Sequence, residues 1–216
     1  MWMEATLILV ALAAALAARP WRMLASGKPL AHEAHGAPSA LWTPLLATLV
    51  LLPWMWALPT LHAMPLQLQW SGACLVVLML GWPLAIPVLA GVGIAACLVS
   101  PAMAWADALG ATVWLGVVPA TLALGLGALV RRYTGTKPFV YVLGRAFLGT
   151  VICVFAAGVL SQWSGHLLPG VGNELSLVAR WLMAWGDGFV TGMLTAIFVA
   201  FKPEWLATWS DRLYLP

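Results

Sequence analysis

The sequence predicts an all-α, polytopic membrane bundle, and three observations carry that prediction. Hydrophobic residues make up 63% of the 216-residue chain and charged residues only 8%, against about 25% charged in a soluble domain. The mean hydropathy is +0.96. The apolar residues also fall in continuous runs, not in the alternating segments of about ten residues that build a transmembrane barrel. Such runs satisfy their own backbone hydrogen bonds in lipid only as helices. No stretch is long or polar enough for a separate soluble domain, so residues 1–216 read as a single transmembrane helical domain.

The runs are 3–18, 41–58, 66–100, 109–130, 139–162 and 176–201. The first, "MWMEATLILVALAAALAARP", has the apolar core of a signal peptide. Its charge order is the reverse of one, however, with Glu4 ahead of the core and Arg19 and Arg22 behind it. It reads as a retained helix with its N-terminus outside. The run 66–100 would be about 50 Å long as one helix, well beyond a hydrocarbon core of about 30 Å. "LGWPLAIP" interrupts it at Gly81, Pro83 and Pro87, and a split there leaves two segments of about 16–17 residues, each near the minimum for crossing.

Charge settles how the runs thread. Arg19, Arg22 and Lys28 lie in 19–40, and Arg131, Arg132 and Lys137 lie in "RRYTGTKP" at 131–138. Lys202 and Arg212 lie in the tail, while 59–70, 101–108 and 163–175 hold no Lys or Arg. Six full spans, with 66–100 as one helix, would put the first two basic segments on opposite sides. If 66–100 crosses twice, or dips in and returns, all three basic regions share the cytoplasmic face. The expectation is therefore seven segments, N-terminus outside and C-terminus cytoplasmic, in a bacterial inner membrane. This threading collects Met1, Met3, Glu4, His62, Met64, Met103, Asp107, His166 and Glu174 at the outer face, and His32, Glu33 and His35 at the inner face. Many of the 14 tryptophans fall near span ends, as an interfacial belt requires.

Several chemistries are excluded. A net charge of +3, small and local, gives no support to nucleic-acid binding. No Walker A motif and no catalytic set occur, so the chain reads as neither an ATPase nor another enzyme. Cys74, Cys97 and Cys153 are dispersed in apolar runs without a CxxC, which fits buried small hydrophobes better than a disulfide or zinc framework. "HEAH" at 32–35 lacks the HExxH spacing and sits in a Gly/Pro-containing loop. Gly116, Gly125 and Gly127 sit within a membrane helix and suit close helix packing. "LHAMPLQLQW" at 61–70 is more pointed. His62 and Met64, beside the N-terminal Met1, offer imidazole and thioether donors suited to borderline and soft transition metals.

Asp187 lies within the last run, in "AWGDGFVTGMLTAIFVAFKPEWL". A carboxylate there costs roughly 2.5–3.5 kcal/mol even on the lenient insertion scale. Arg180, seven residues earlier on the same helical face, and Arg145 on the preceding helix are its candidate partners. Pairing with either makes a structural clamp; facing a cavity makes an ion or proton path.

With these residues assembled, the chain resembles the CbiM-like family, membrane substrate-capture components of energy-coupling-factor transporters for cobalt and nickel. In particular it is similar to a shorter branch of permeases. The resemblance covers most of the chain from about residue 66. It rests on "LMLGWPLAIPVLAG" (78–91), on "DALGATVWLGVVPA" (107–120), with Thr112 where the family has Asn, and on "GDGFVTGMLTAIFVAFKPEWL" (186–206). The closing "PEWLATWSDRLYLP" resembles that shorter branch. The resemblance implies a compact bundle that captures a divalent transition metal from outside and works with a coupling membrane protein and ATPase subunits. The coupling surface would be Arg131, Arg132, Lys137 and the tail from Lys202. The family holds its metal with the N-terminal amine, a histidine after the initiator Met and a histidine ahead of the paired-helix turn. Trp2 and Gln69 stand at those places here, so the nitrogen site does not carry over, and His62, Met64 and Met1 are the substitutes to consider. With the family's metal site elsewhere, the expectation for Asp187 is an arginine partner and a structural role. The alternative function is a membrane scaffold or accessory subunit that binds no metal.

Overall fold

A computed structural model describes residues 2–25, 39–61, 69–135, 137–168 and 171–214. Among these residues the chain is helical and carries no strand. The long elements are α1 (Trp2–Ala17), α3 (Trp42–Leu61), α5 (Trp82–Val99), α6 (Trp105–Thr134), α7 (Val140–Trp163) and α8 (Asn173–Phe201). Short helices α2 (Trp21–Ala25), α4 (Ala73–Leu80) and α9 (Asp211–Tyr214), with a single 3-10 turn at Pro203–Trp205, complete the described set. Five of the helices, 42–61, 82–99, 105–134, 140–163 and 175–201, are long and apolar enough to cross a membrane, and α1 is a shorter apolar helix of 16 residues. Large apolar side chains such as Val10, Leu98 and Phe189 point outward, as lipid-facing surfaces require.

The core forms around α4. All eight of its residues are buried, and α3, α5, α6, α7 and α8 all pack against it. At about 1.5 Å per residue α4 is about 12 Å long, less than half a hydrocarbon core. Two glycines bound it. Gly72 precedes it at φ 65 and ψ −7, a left-handed backbone that costs an L-residue about 1–2 kcal/mol, and Gly81 follows it at φ 74 and ψ 154, a region essentially confined to glycine. The run 66–100 thus divides at Gly81, as the Gly/Pro cluster predicts. The expected pair of near-equal helices is nonetheless corrected: the first is only eight residues long, because the chain enters it from non-helical backbone at Gln69–Gly72.

Hydrogen bonds identify the two ends of the bundle. At one end Thr60 Oγ1 lies 2.8 Å from Ser100 Oγ, joining α3 to the turn after α5, and His166 Nε2 lies 2.9 Å from Glu4 Oε1. At the other end Gly81 sits beside Met23 and Ala207. There the Ala207 N–H donates to Met79 O at 2.9 Å, and Thr208 donates through its N–H and its Oγ1 to Leu78 O. Tyr141 OH lies 2.7 Å from Thr208 Oγ1, and the rings of Tyr141, Trp209 and Tyr214 pack together there. Arg19, Arg22, Arg131, Arg132, Lys137 and Lys202 belong to this second end, by the helix termini that carry them. The chain therefore lies mid-bundle without helical structure at Gln69–Gly72, continues as α4 to the basic end, and returns as α5.

Candidate functional site

The site is built from the broken passage upward. A half-helix that starts in the middle of a bundle leaves backbone N–H groups without intrahelical partners, and in lipid water does not supply them. Here Asp187 supplies them from α8. Its Oδ2 accepts from the Ser71 N–H at 3.0 Å and its Oδ1 from the Gly72 N–H at 3.1 Å. The carboxylate is 2% exposed. It also lies at the positive end of the α4 dipole, where an anion is stabilised. Ser71 is fixed from two further sides: its Oγ donates to Leu115 O at 2.6 Å, and its carbonyl accepts from Trp56 Nε1 at 3.2 Å. Leu115 lies in 112–117, where α6 is wound more widely, as a π-helix. Such turns recur at functional sites because they turn carbonyls out of the regular ladder.

The expected arginine partner of Asp187 is corrected by this geometry. Among the described residues no arginine lies within 4 Å of its carboxylate. Seven residues of helix separate Arg180 from Asp187 by about 10 Å along the axis, and Arg180 Nη2 instead donates to His166 O at 2.7 Å. Arg145 packs across the face of Gly127 and lies 5.6 Å from the centre of the Tyr141 ring.

Directly beyond this knot, toward the Thr60 end, is a cavity of about 430 Å³. Trp56 and Leu115, which hold Ser71, form part of its wall. Its polar lining comes from Glu4, Thr60, Gln69, Asp107, Ser161, His166 and Arg180, and its apolar lining includes Met103, Trp114 and Met183. Glu4, Met103, Asp107 and His166, which the threading gathers at one face, do meet here, although they come from α1, the turn after α5, α6 and the turn after α7. The Trp114 and His166 rings lie 5.7 Å apart. Arg180 Nε, Trp114 Nε1 and His166 Nδ1 are buried atoms without a hydrogen-bond partner among the described residues.

The remaining sequence candidates divide. His62, Met64 and Met1, and the 32–35 loop, lie outside the described residues. Arg131, Arg132 and Lys137 sit at the basic end, far from the cavity. Among the described residues no three His, Cys, Asp or Glu side chains cluster as a metal site. Sequence reasoning missed Ser71 and Gly72 as partners of Asp187. The available signal was a Ser-Gly turn pair ahead of an apolar run. No protein-family model matches this chain, and neither does any curated protein or solved structure.

Proposed function

We propose that the protein is the membrane permease-type component of an energy-coupling-factor-like transporter, capturing a divalent transition metal of the cobalt and nickel class as its cargo. The observation that carries the transport reading is the discontinuous passage at Gln69–Leu80, anchored by Asp187, lying against a polar-lined cavity. Broken helices with their ends near the midplane mark substrate sites in transporters, whereas a purely structural bundle has no need of them. In this reading the chain makes seven passages, the N-terminus and cavity mouth face outside, and the basic end faces the cytoplasm. Arg131, Arg132, Lys137 and the segment from Lys202 then offer a coupling surface to a partner membrane protein and its ATPases. The resemblance of 78–91, 107–120 and 186–206 to the CbiM-like family supports the metal. His62, Met64 and Met1, together with Glu4, Asp107 and His166, are the donors on offer.

A scaffold without metal binding is the second reading, and the Arg180 side chain in the cavity wall favours it, since a guanidinium repels a dication. Titration of the purified full-length protein with cobalt(II) and nickel(II) decides between them. Capture predicts stoichiometric binding that His62→Ala, Met64→Ala or His166→Ala weakens. The absence of saturable binding of either metal would leave the scaffold.

A further inference from the structure

We infer that the α6–α7 seam at the basic end binds one anionic phospholipid, its phosphodiester held by Arg145 beside Arg131 and Lys137 and its acyl chains lying over Leu124 and Leu148. This goes beyond metal capture, does not depend on it, and rests only on the basic end lying at a membrane surface. Arg145 is half-buried in α7, and its guanidinium is laid across α6. A Cβ on Gly127 would come within 2.7 Å of its Nε and 3.0 Å of its Nη2, so the glycine makes room for it. The side chain leans toward the start of α7, as helical side chains do, and its Cζ lies 5.6 Å from the centre of the Tyr141 ring. Nε is sealed against α6, but the two terminal nitrogens are open to the surface and meet no acceptor among the described residues. Gly127 is seven residues, about 10 Å, from the end of α6 at Thr134. An interfacial layer of about 5–8 Å then puts the guanidinium where headgroups meet hydrocarbon. A cation held at that depth without a counter-charge is costly, and its fork of N–H donors matches a phosphate in geometry and charge.

Charge and its order along the seam narrow the partner. Arg131 stands one turn beyond Gly127 on the same face of α6. Lys137 stands one turn ahead of Tyr141, whose N–H its carbonyl accepts at 3.0 Å. Both side chains are exposed. No Asp or Glu occurs between Asp107 and Glu174, and among the described residues no carboxylate lies within 4 Å of Arg131, Lys137 or Arg145. The acids at this end are engaged elsewhere, Glu204 with Lys202 at 3.5 Å and Asp211 with Trp209 Nε1 at 2.7 Å. Three cations without an acid repel the ammonium of a zwitterionic headgroup and favour a net negative one. About one turn deeper, Leu124 on α6 and Leu148 on α7 are exposed. Cations above and leucines below follow the order of a phospholipid, headgroup then acyl chain, which a free phosphate does not share.

Native mass spectrometry of the full-length protein in a neutral detergent tests this, with dioleoyl phosphatidylglycerol and dioleoyl phosphatidylcholine offered in equal amounts. The expected result is one phosphatidylglycerol retained about tenfold more strongly than phosphatidylcholine, the scale of one hydrogen bond to a charged group. Arg145→Gln is expected to remove most of that preference. Arg132→Gln deletes the same charge about 140° away around α6, where Arg132 lies 5.9 Å from the centre of the Tyr133 ring. It is expected to change the preference by less than about twofold. If Arg145→Gln does not yield monodisperse protein, Arg131→Gln decides, with an expected loss of about threefold to tenfold. Inorganic phosphate in large excess is expected to leave the lipid bound. The proposal is overturned by equal retention of the two lipids or by displacement of the lipid with phosphate. It is equally overturned if Arg145→Gln, or Arg131→Gln in its place, has no larger effect than Arg132→Gln, since that would mark a diffuse surface charge. Cobalt(II) titration of the same protein reads metal capture separately, so either result stands without the other.

Discussion

Replacing Asp187 by asparagine preserves the shape of the side chain but turns one acceptor oxygen into an amide donor facing the N–H of Ser71 or Gly72. Leaving a buried donor unsatisfied costs about 1–3 kcal/mol. Asp187→Asn is therefore expected to lower the thermal unfolding midpoint of the detergent-solubilised protein, and Asp187→Ala to lower it further. An unchanged midpoint in both would remove the capping role. The expense of this carboxylate was legible in the sequence, because a charge inside an apolar run stands out against its neighbours. Its partner was not. The amides that hold it lie 116 and 115 residues away, and every residue except proline carries such a group, so the Ser-Gly pair marks a turn there without tying it to Asp187. Arginine looked the natural partner because arginine is visible in a sequence and a free backbone N–H is not.

At the scale of the element, α4 depends on glycine at both ends. A Cβ on Gly72 would lie 2.9 Å from Leu52 Cδ1, and one on Gly81 would lie 2.9 Å from Met23 Cε, in addition to the cost of positive φ. Gly72→Ala is expected to destabilise by about 1–2 kcal/mol from the backbone alone, measured as the loss of midpoint in thermal unfolding. Gly81→Ala is expected to cost at least as much even if Met23 swings aside, because φ 74 with ψ 154 is open to glycine almost alone. The α7–α8 pair gives a sharper test. A Cβ on Gly188 would meet Val151 Cγ2 at 2.5 Å and the Phe147 carbonyl at 3.2 Å. Gly188→Ala is thus expected to cost about 1–3 kcal/mol by overpacking, whereas Gly186→Ala, with nothing within 4 Å, should be neutral or slightly stabilising. The break at Gly81 was readable from glycine and proline, which interrupt helices for local reasons. The start of α4 was signalled only weakly, by the Ser71-Gly72 pair, and the non-helical approach persists because Asp187, Leu115 and Trp56 satisfy that backbone.

For the molecule as a whole, the proposed orientation makes a prediction about sides. In a background with Cys74, Cys97 and Cys153 replaced by alanine, Tyr133→Cys lies at the basic end and Ser164→Cys at the cavity end. A membrane-impermeant maleimide applied to intact cells should label the second and not the first, with the reverse pattern in inverted vesicles. Labelling of both from one side would end the seven-passage arrangement. Helix existence and the clustering of basic residues were legible at this scale because composition and charge order are properties of long windows. The cavity was legible only as a list of residues sharing one face. That Arg180 joins it depends on how α7 and α8 pair, and no periodicity in either helix encodes that.

The stitching of α4 also sets a timetable for biogenesis. Both of its ends are completed by chain made much later: Asp187 follows Ser71 by 116 residues, and Thr208 follows Leu78 by 130. While the ribosome is still making α6 and α7, the half-helix has neither its cap nor its closing strap. A nascent chain arrested before residue 187 therefore presents an unfinished membrane passage to the insertion and quality-control machinery. It should be released from the insertion site, or escape degradation, only once the last few dozen residues have emerged.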